Sequence, residues 1–234
     1  NETVHSLVID QSNDSMNLFL LGATASTDFP TSPGAFKRNK SSGFTINTEI
    51  YSFAGGVDVF VSKLDSSGSN LLGSTFYGGS DADGINDLNG TYDSLLFNYG
   101  DSHRGEIIID DLGNCLIATS TRNANLPQSL NSYSGRQDGV IVSFDNQLQN
   151  VNWTRYLGGS GTDAIYSIKV LDNDNIAVGG GTTSYSDFPT TPNSIQPFSG
   201  GGIADGFISL LAANGTALLN STFVGTSNYD QVFF

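Results

Sequence analysis

Asp138-Gly139-Val140-Ile141-Val142-Ser143-Phe144, a polar turn, and then Trp153-Thr154-Arg155-Tyr156-Leu157-Gly158-Gly159-Ser160 leading to Asp163 is the stretch that decides the fold. Two short runs rich in β-branched and aromatic residues, bounded by turn residues, read as consecutive strands of a hairpin. The same sentence is written twice more. An Asp opens Asp58-Val59-Phe60-Val61-Ser62-Lys63-Leu64 and Asp205-Gly206-Phe207-Ile208-Ser209-Leu210-Leu211. The strand ending recurs at Ser74-Thr75-Phe76-Tyr77-Gly78-Gly79-Ser80 before Asp83 and at Ser221-Thr222-Phe223-Val224-Gly225-Thr226-Ser227 before Asp230. The two anchors advance together, from 58 to 138 to 205 and from 83 to 163 to 230. Agreement on both spacings makes this an internal repeat, the feature that must be settled before any other.

A third anchor, an apolar run followed by a Pro step, precedes each: Asp28-Phe29-Pro30, Asn125-Leu126-Pro127 and Asp187-Phe188-Pro189. Each Pro falls after a strand, where the missing N–H costs no ladder bond. In the middle unit the strands run from Glu106 to Asp110, Cys115 to Thr121, Gly139 to Phe144 and Val151 to Leu157. Asp111-Leu112-Gly113-Asn114 joins the first two, and Asp65-Ser66-Ser67-Gly68 and Ala212-Ala213-Asn214-Gly215 join strands three and four of the outer units, with Gly suited to a left-handed position. Four short antiparallel strands per unit predict an all-β chain of β-propeller blades. The expected division is blade one over 1–101 with insertions at about 38–54 and 86–101, blade two over 102–163, blade three over 164–227, and the first strand of a further blade over 228–234. The insertions read as polar surface loops. Three blades and one strand fall short of the roughly four to eight of a ring, so the chain reads as a segment of a larger ring, or as one that pairs with another copy. Its first residues, lacking a basic start and an apolar stretch, read as already mature or cut from something longer.

Composition narrows the partners. The 234 residues carry 9 Lys and Arg against 23 Asp and Glu, a net charge of −14, with 28 Gly and one Cys. Nucleic acid and anionic lipid both attract clustered cations, which are missing here. No apolar run approaches the roughly 20 residues of a spanning helix, so no membrane insertion is expected. The single Cys115, in an apolar run, reads as a buried small hydrophobe.

The repeat resembles the bacterial β-propeller repeat called the SBBP repeat. Phe29-Pro30-Thr31-Ser32-Pro33-Gly34-Ala35-Phe36, Asp58 to Asp65 and Leu72-Gly73-Ser74-Thr75-Phe76-Tyr77-Gly78-Gly79-Ser80 carry the likeness, as do Phe188-Pro189-Thr190-Thr191-Pro192 and Leu219 to Gly225. The middle unit departs at Asn125-Leu126-Pro127 and at Phe144-Asp145-Asn146-Gln147, where a Phe and the turn Gly are lost. The resemblance implies a secreted or cell-surface protein and brings no catalytic residues.

A catalytic centre should break a repeat, because it needs one asymmetric cluster. Asp58, Asp138 and Asp205, and likewise Asp83, Asp163 and Asp230, instead recur in every unit. The first three read as structural acceptors of backbone N–H groups in the turn entering strand three. His5 and His103 read as surface residues near the start of strand one, with no nucleophile beside them, so no enzyme is expected. No cofactor is implied. Calcium is the one ion to consider, at Asp81 and Asp83 before Gly84, although the distal Glu of a full calcium loop is missing, and a similar run, Asp172-Asn173-Asp174-Asn175, is explained as a hairpin turn. Glycosylation sequons occur at Asn39, Asn89, Asn152, Asn214 and Asn220, besides Asn1 and Asn13, where about five would arise by chance. Ser15 and Ser94 match a three-residue O-glycosylation pattern.

The sequence thus points to a non-catalytic extracellular or cell-surface segment with a structural or adhesive role. Its expected partners are further blades of the same protein or another copy, with glycans or other surface proteins beside them. The alternatives are a carbohydrate-binding module using Tyr51, Phe53, Tyr92, Phe97 and Tyr99, and the propeller part of an enzyme whose site lies elsewhere.

Overall fold

The computed structural model describes residues 1–11, 15–48, 51–86, 95–96 and 101–233. The first unit contains β1 (Glu2–Ile9), β2 (Leu18–Thr24), a two-residue hairpin of β3 (Ile46–Asn47) and β4 (Ser52–Phe53), then β5 (Asp58–Leu64) and β6 (Leu71–Tyr77). A 3-10 turn at Asp101–His103 leads to the second unit, β7 (Glu106–Ile109), β8 (Cys115–Thr121), β9 (Asp138–Phe144) and β10 (Val151–Leu157). The third holds β11 (Asp163–Val170), β12 (Ile176–Thr182), β13 (Asp205–Leu211) and β14 (Leu218–Val224). Each unit is a four-stranded antiparallel, blade-like meander in chain order, interrupted in the first by the β3–β4 hairpin. The first strand of a further blade expected over 228–234 is not formed: the described residues 228–233 hold no strand. They lie against the third unit through Asp230 N–H to Ala204 O and Val232 N–H to Gly180 O.

One register serves all three units. Asp58 stands opposite Thr24, Asp138 opposite Thr121 and Asp205 opposite Thr182. β1 and β11 share a bulge at the same place, between Val4 and Ser6 and between Ile165 and Ser167. The sheets pack face on face rather than closing on themselves. Phe19, Leu21, Val61 and Tyr77 of the first unit meet Ile107, Ile117 and Val142 of the second. Leu116, Ala118, Ile141 and Leu157 of the second meet Ile165, Ile168 and Phe207 of the third. Each such aliphatic side chain removed from water contributes about 1.5–3 kcal/mol, and the seams between units hold much of the core.

Two further local features depart from the sequence expectation. The insertions are anchored as well as exposed: Ile46 and Phe53 are buried beside Ala23 and Ala82, and Asn86, Leu95, Leu96 and Asp101 are buried too. Ile46 and Phe53 cover apolar surface of the first unit, whereas Leu95 packs on Ala164, Tyr166 and Ala204 of the third. In the β9–β10 turn, where Gly is lost, Leu148 takes the left-handed conformation at φ 57°, as Gly68 does at φ 70° in the first unit. Leu148 is fully buried in the first seam, which offsets the roughly 1–2 kcal/mol of a Cβ in that region. The turn is thereby pulled against the first unit.

Candidate functional site

The repeated acidic residues meet where one unit joins the next. Asp58, Asp138 and Asp205 are all buried. The Oδ2 of each accepts a backbone N–H from the loop before its strand: Ser41 at 2.9 Å, Ser134 at 2.8 Å and Gly200 at 3.0 Å. The second set closes the turn after strand four. Asp83 accepts the N–H of Gly79 at 2.8 Å, Asp163 that of Gly159 at 2.9 Å and Asp230 that of Thr226 at 2.7 Å. Between the two carboxylates of a seam runs the Gly that follows strand four. A Cβ on Gly158 would lie 2.6 Å from Asp138 Oδ1 and 2.7 Å from Asp163 Oδ2. Glycine recurs there because a buried carboxyl group occupies the space of a side chain, that of Asp83 at Gly78 and that of Asp205 at Gly225.

These groups are costly to ionise. Burial pushes Asp138 up to about 8, and the charges of Asp163 and Asp187 add to the effect, while the Ser134 N–H opposes it. Burial pushes Asp163 up to about 6 and Asp83 up to about 7, against the hydrogen bonds each accepts. The Oδ1 atoms of Asp58, Asp138, Asp163 and Asp205 have no hydrogen-bond partner among the described residues. The first seam carries a cation: Lys37 Nζ lies 2.7 Å from Asp58 Oδ2 and also donates to Gly78 O and Ser41 Oγ. Gln196, which matches Lys37 by its bonds to β14, supplies only a neutral amide that accepts the Gly225 N–H. Burial still raises Asp58, with Lys37 acting against it. Lys37→Met is expected to cost about 2 kcal/mol in chemical denaturation at pH 7, because it strands a buried carboxylate beside a half-open lysine position. An unchanged midpoint would show that the pair contributes nothing.

Asp81 and Asp83 are engaged separately. Both oxygens of Asp83 are taken, by Thr121 Oγ1 at 2.6 Å and by Asn123 Nδ2 at 2.7 Å together with Gly79. Asp81 accepts the Ala82 N–H and faces Arg122 at 3.7 Å. Among the described residues no group of three or more His, Cys, Asp or Glu is placed to hold a metal. Asn39, Asn152, Asn214, Asn220 and Ser15 are exposed, while Asn89 and Ser94 lie outside the described residues. Of the aromatics, Phe53 is buried and Tyr51 is exposed, with its ring edge-on to His103. Tyr92, Phe97 and Tyr99 lie outside the described residues.

The histidines correct the sequence reading. His5 and His103 are not free surface residues; both are half-buried, with ring centroids 6.4 Å apart. Burial, and then the charge of His103, hold His5 down to about 3. The β3–β4 hairpin covers His103, since Thr48, Tyr51 and Phe53 close over it. Cys115 is buried and its thiol is pushed up by burial.

A groove of about 520 Å³ lies where the ends of β1, β7 and β11 converge, lined by Ile9, Ile109, Asp110, Lys169 and Asp172 among others. One cluster escaped the sequence reading altogether: Lys63, buried in β5 against Asn146 of the β9–β10 turn. The signal for it was available, since Lys63 stands where the other units have Ser143 and Leu210. No family model matches the chain, and no curated protein matches it. Among the described residues no helix is long and apolar enough to cross a membrane.

Proposed function

We propose that the chain is a non-catalytic β-propeller segment, part of a large extracellular or cell-surface protein in which it has a structural or adhesive role. The observation that carries this reading is the state of the two outermost sheet faces. Val61 and Ile141 occupy one repeat position and are fully buried in the two seams, whereas Ile208 at the same position of the third unit is 41% exposed. Tyr77 and Leu157 are each 1% exposed and Val224, their counterpart, 41%. At the other end Leu7 is 54% exposed where Ile107 and Ile168 are buried. The chain therefore presents both halves of the interface that it makes twice internally, which fits further blade-like sheets as neighbours. The repeated Asp and Gly residues serve the joints, and among the described residues no asymmetric cluster of nucleophile and base accompanies them.

Light scattering of the chain over a range of concentrations tests the reading. Head-to-tail self-association is expected, because a free seam face meets its complement on a second copy. Ile208→Lys should abolish it. A chain that stays monomeric at high concentration, with or without the substitution, would count against seam faces at the two ends.

A further inference from the structure

Lys63 is an anomaly in its own repeat. Its side chain runs into the first seam and is 5% exposed, in a chain whose other strand-three residues at this position are Ser143 and Leu210. Its Nζ sits 5.1 Å from the centre of the fully buried Phe19 ring. There it donates to Oδ1 of Asn146 and, at 3.3 Å, to the backbone oxygen of the same residue. Asn146 is held in turn. Its Nδ2 donates to Gly113 O at 2.6 Å and to Oδ2 of Asp10 at 3.4 Å. Asp10, in the turn after β1, is fully buried. An amine, a carboxamide and a carboxyl group from three separate turns and strands thus meet at one place, with Lys63 and Asp10 buried and Asn146 half-buried.

That set has its own chemistry. A lysine amine is nucleophilic only when neutral, and burial lowers the pKa of Lys63, with the Asp10 charge opposing. A carboxyl group beside the amide can take the amine proton and return it to the leaving nitrogen. Contact between fixed groups replaces a bimolecular encounter, which raises the effective concentration of the reactants by orders of magnitude.

We propose that Lys63 and Asn146 join in an intramolecular isopeptide bond, with Asp10 as the general base and acid. The Lys63 ammonium, which touches Asn146 and not Asp10, gives a proton through an intervening water to the Asp10 carboxylate, and the freed amine attacks Cγ of Asn146. The new C–N bond forms as Asp10 returns its proton to Nδ2. The Cγ–Nδ2 bond then breaks and ammonia leaves, taking up the second proton of the former ammonium as it departs. Asp10 ends as it began, a carboxylate, and no oxidant or co-reactant is needed. The product ties β5 of the first unit to the β9–β10 turn of the second, a covalent rivet across the first seam. It does not depend on the extracellular reading above, because the reacting groups all belong to this chain.

The full chain, made in a host that adds no glycans and analysed by denaturing mass spectrometry, gives the test. The folded wild type is expected to be lighter than its sequence mass by one ammonia, about 17 Da. Digestion should release one branched peptide containing residues 63 and 146. Lys63→Arg and Asn146→Ala should keep the full mass, and Asp10→Asn should keep it or lose ammonia far more slowly. Circular dichroism establishes that each variant is folded. Cross-linking shortens the unfolded ensemble's freedom, so the two unlinked variants should melt about 10 °C below the wild type. A folded wild type that retains its full sequence mass after prolonged incubation at pH 8 would overturn the proposal, as would a branched peptide that persists in Asn146→Ala.

Discussion

Stability is expected to fall as pH rises from about 4 to 8, opposite to the behaviour of a protein held by carboxylate ion pairs. An unfolded Asp loses its proton near pH 3.9, while burial holds protons on Asp163 up to about 6, on Asp83 up to about 7 and on Asp138 up to about 8. Over that window the folded chain binds more protons than the unfolded one, so ionisation favours unfolding. Each excess proton on the folded side corresponds to about 1.4 kcal/mol per pH unit. His5 works in the opposite sense. Its folded value of about 3 lies below the unfolded one, so its contribution is lost as pH falls from about 6.5 toward 3. Three carboxyls outweigh one imidazole, and the maximum should lie near pH 4 to 5. Melting curves should shift downward by about 10 °C between pH 5 and pH 8, given several kcal/mol and the size of the chain. Asp138→Asn should flatten the profile most, because the amide keeps an acceptor for the Ser134 N–H and carries no charge toward Asp163. A wild type that grows more stable from pH 5 to pH 8 would refute this account of the seams.

Gly158→Ala is expected to cost about 3 kcal/mol or more, through overpacking against polar groups that cannot retreat. The new methyl would press on Asp138 Oδ1 and Asp163 Oδ2. Neither is loose. Asp138 is fixed by the Ser134 N–H, and Asp163 by the Gly159 N–H and the Ser184 hydroxyl. Gly68→Ala is the control. Gly68 has φ 70° with nothing within 4 Å of its would-be Cβ, so only backbone strain of about 1 kcal/mol is expected. Urea titration of both variants separates the two causes; equal losses would mean that the carboxylates around Gly158 give way.

The strands were readable because their signals are local. Each run from Asp58, Asp138 and Asp205 carries its own pattern and its own turn chemistry, and the repeat writes that pattern three times. The anchoring of the insertions was not readable, since Ile46 and Phe53 become core only when a neighbouring sheet leaves apolar surface for them to cover. The histidines were misplaced for the same reason: what buries His103 is a hairpin more than fifty positions away. In the turn at Leu148 local chemistry asked for glycine, and burial in the seam prevailed.

By itself the sequence determined that the chain is all-β, built from repeated four-stranded units, acidic, and punctuated by Asp and Gly at fixed places. It did so because period, turn residues and repetition are properties of neighbouring positions. Only the tertiary structure decided what the repeated Asp residues face, why Gly must lie beside them, and that Lys63, Asn146 and Asp10 meet at one place. Those facts belong to the seams, where residues far apart in the chain lose water together, and burial rather than residue type sets their charge and reactivity.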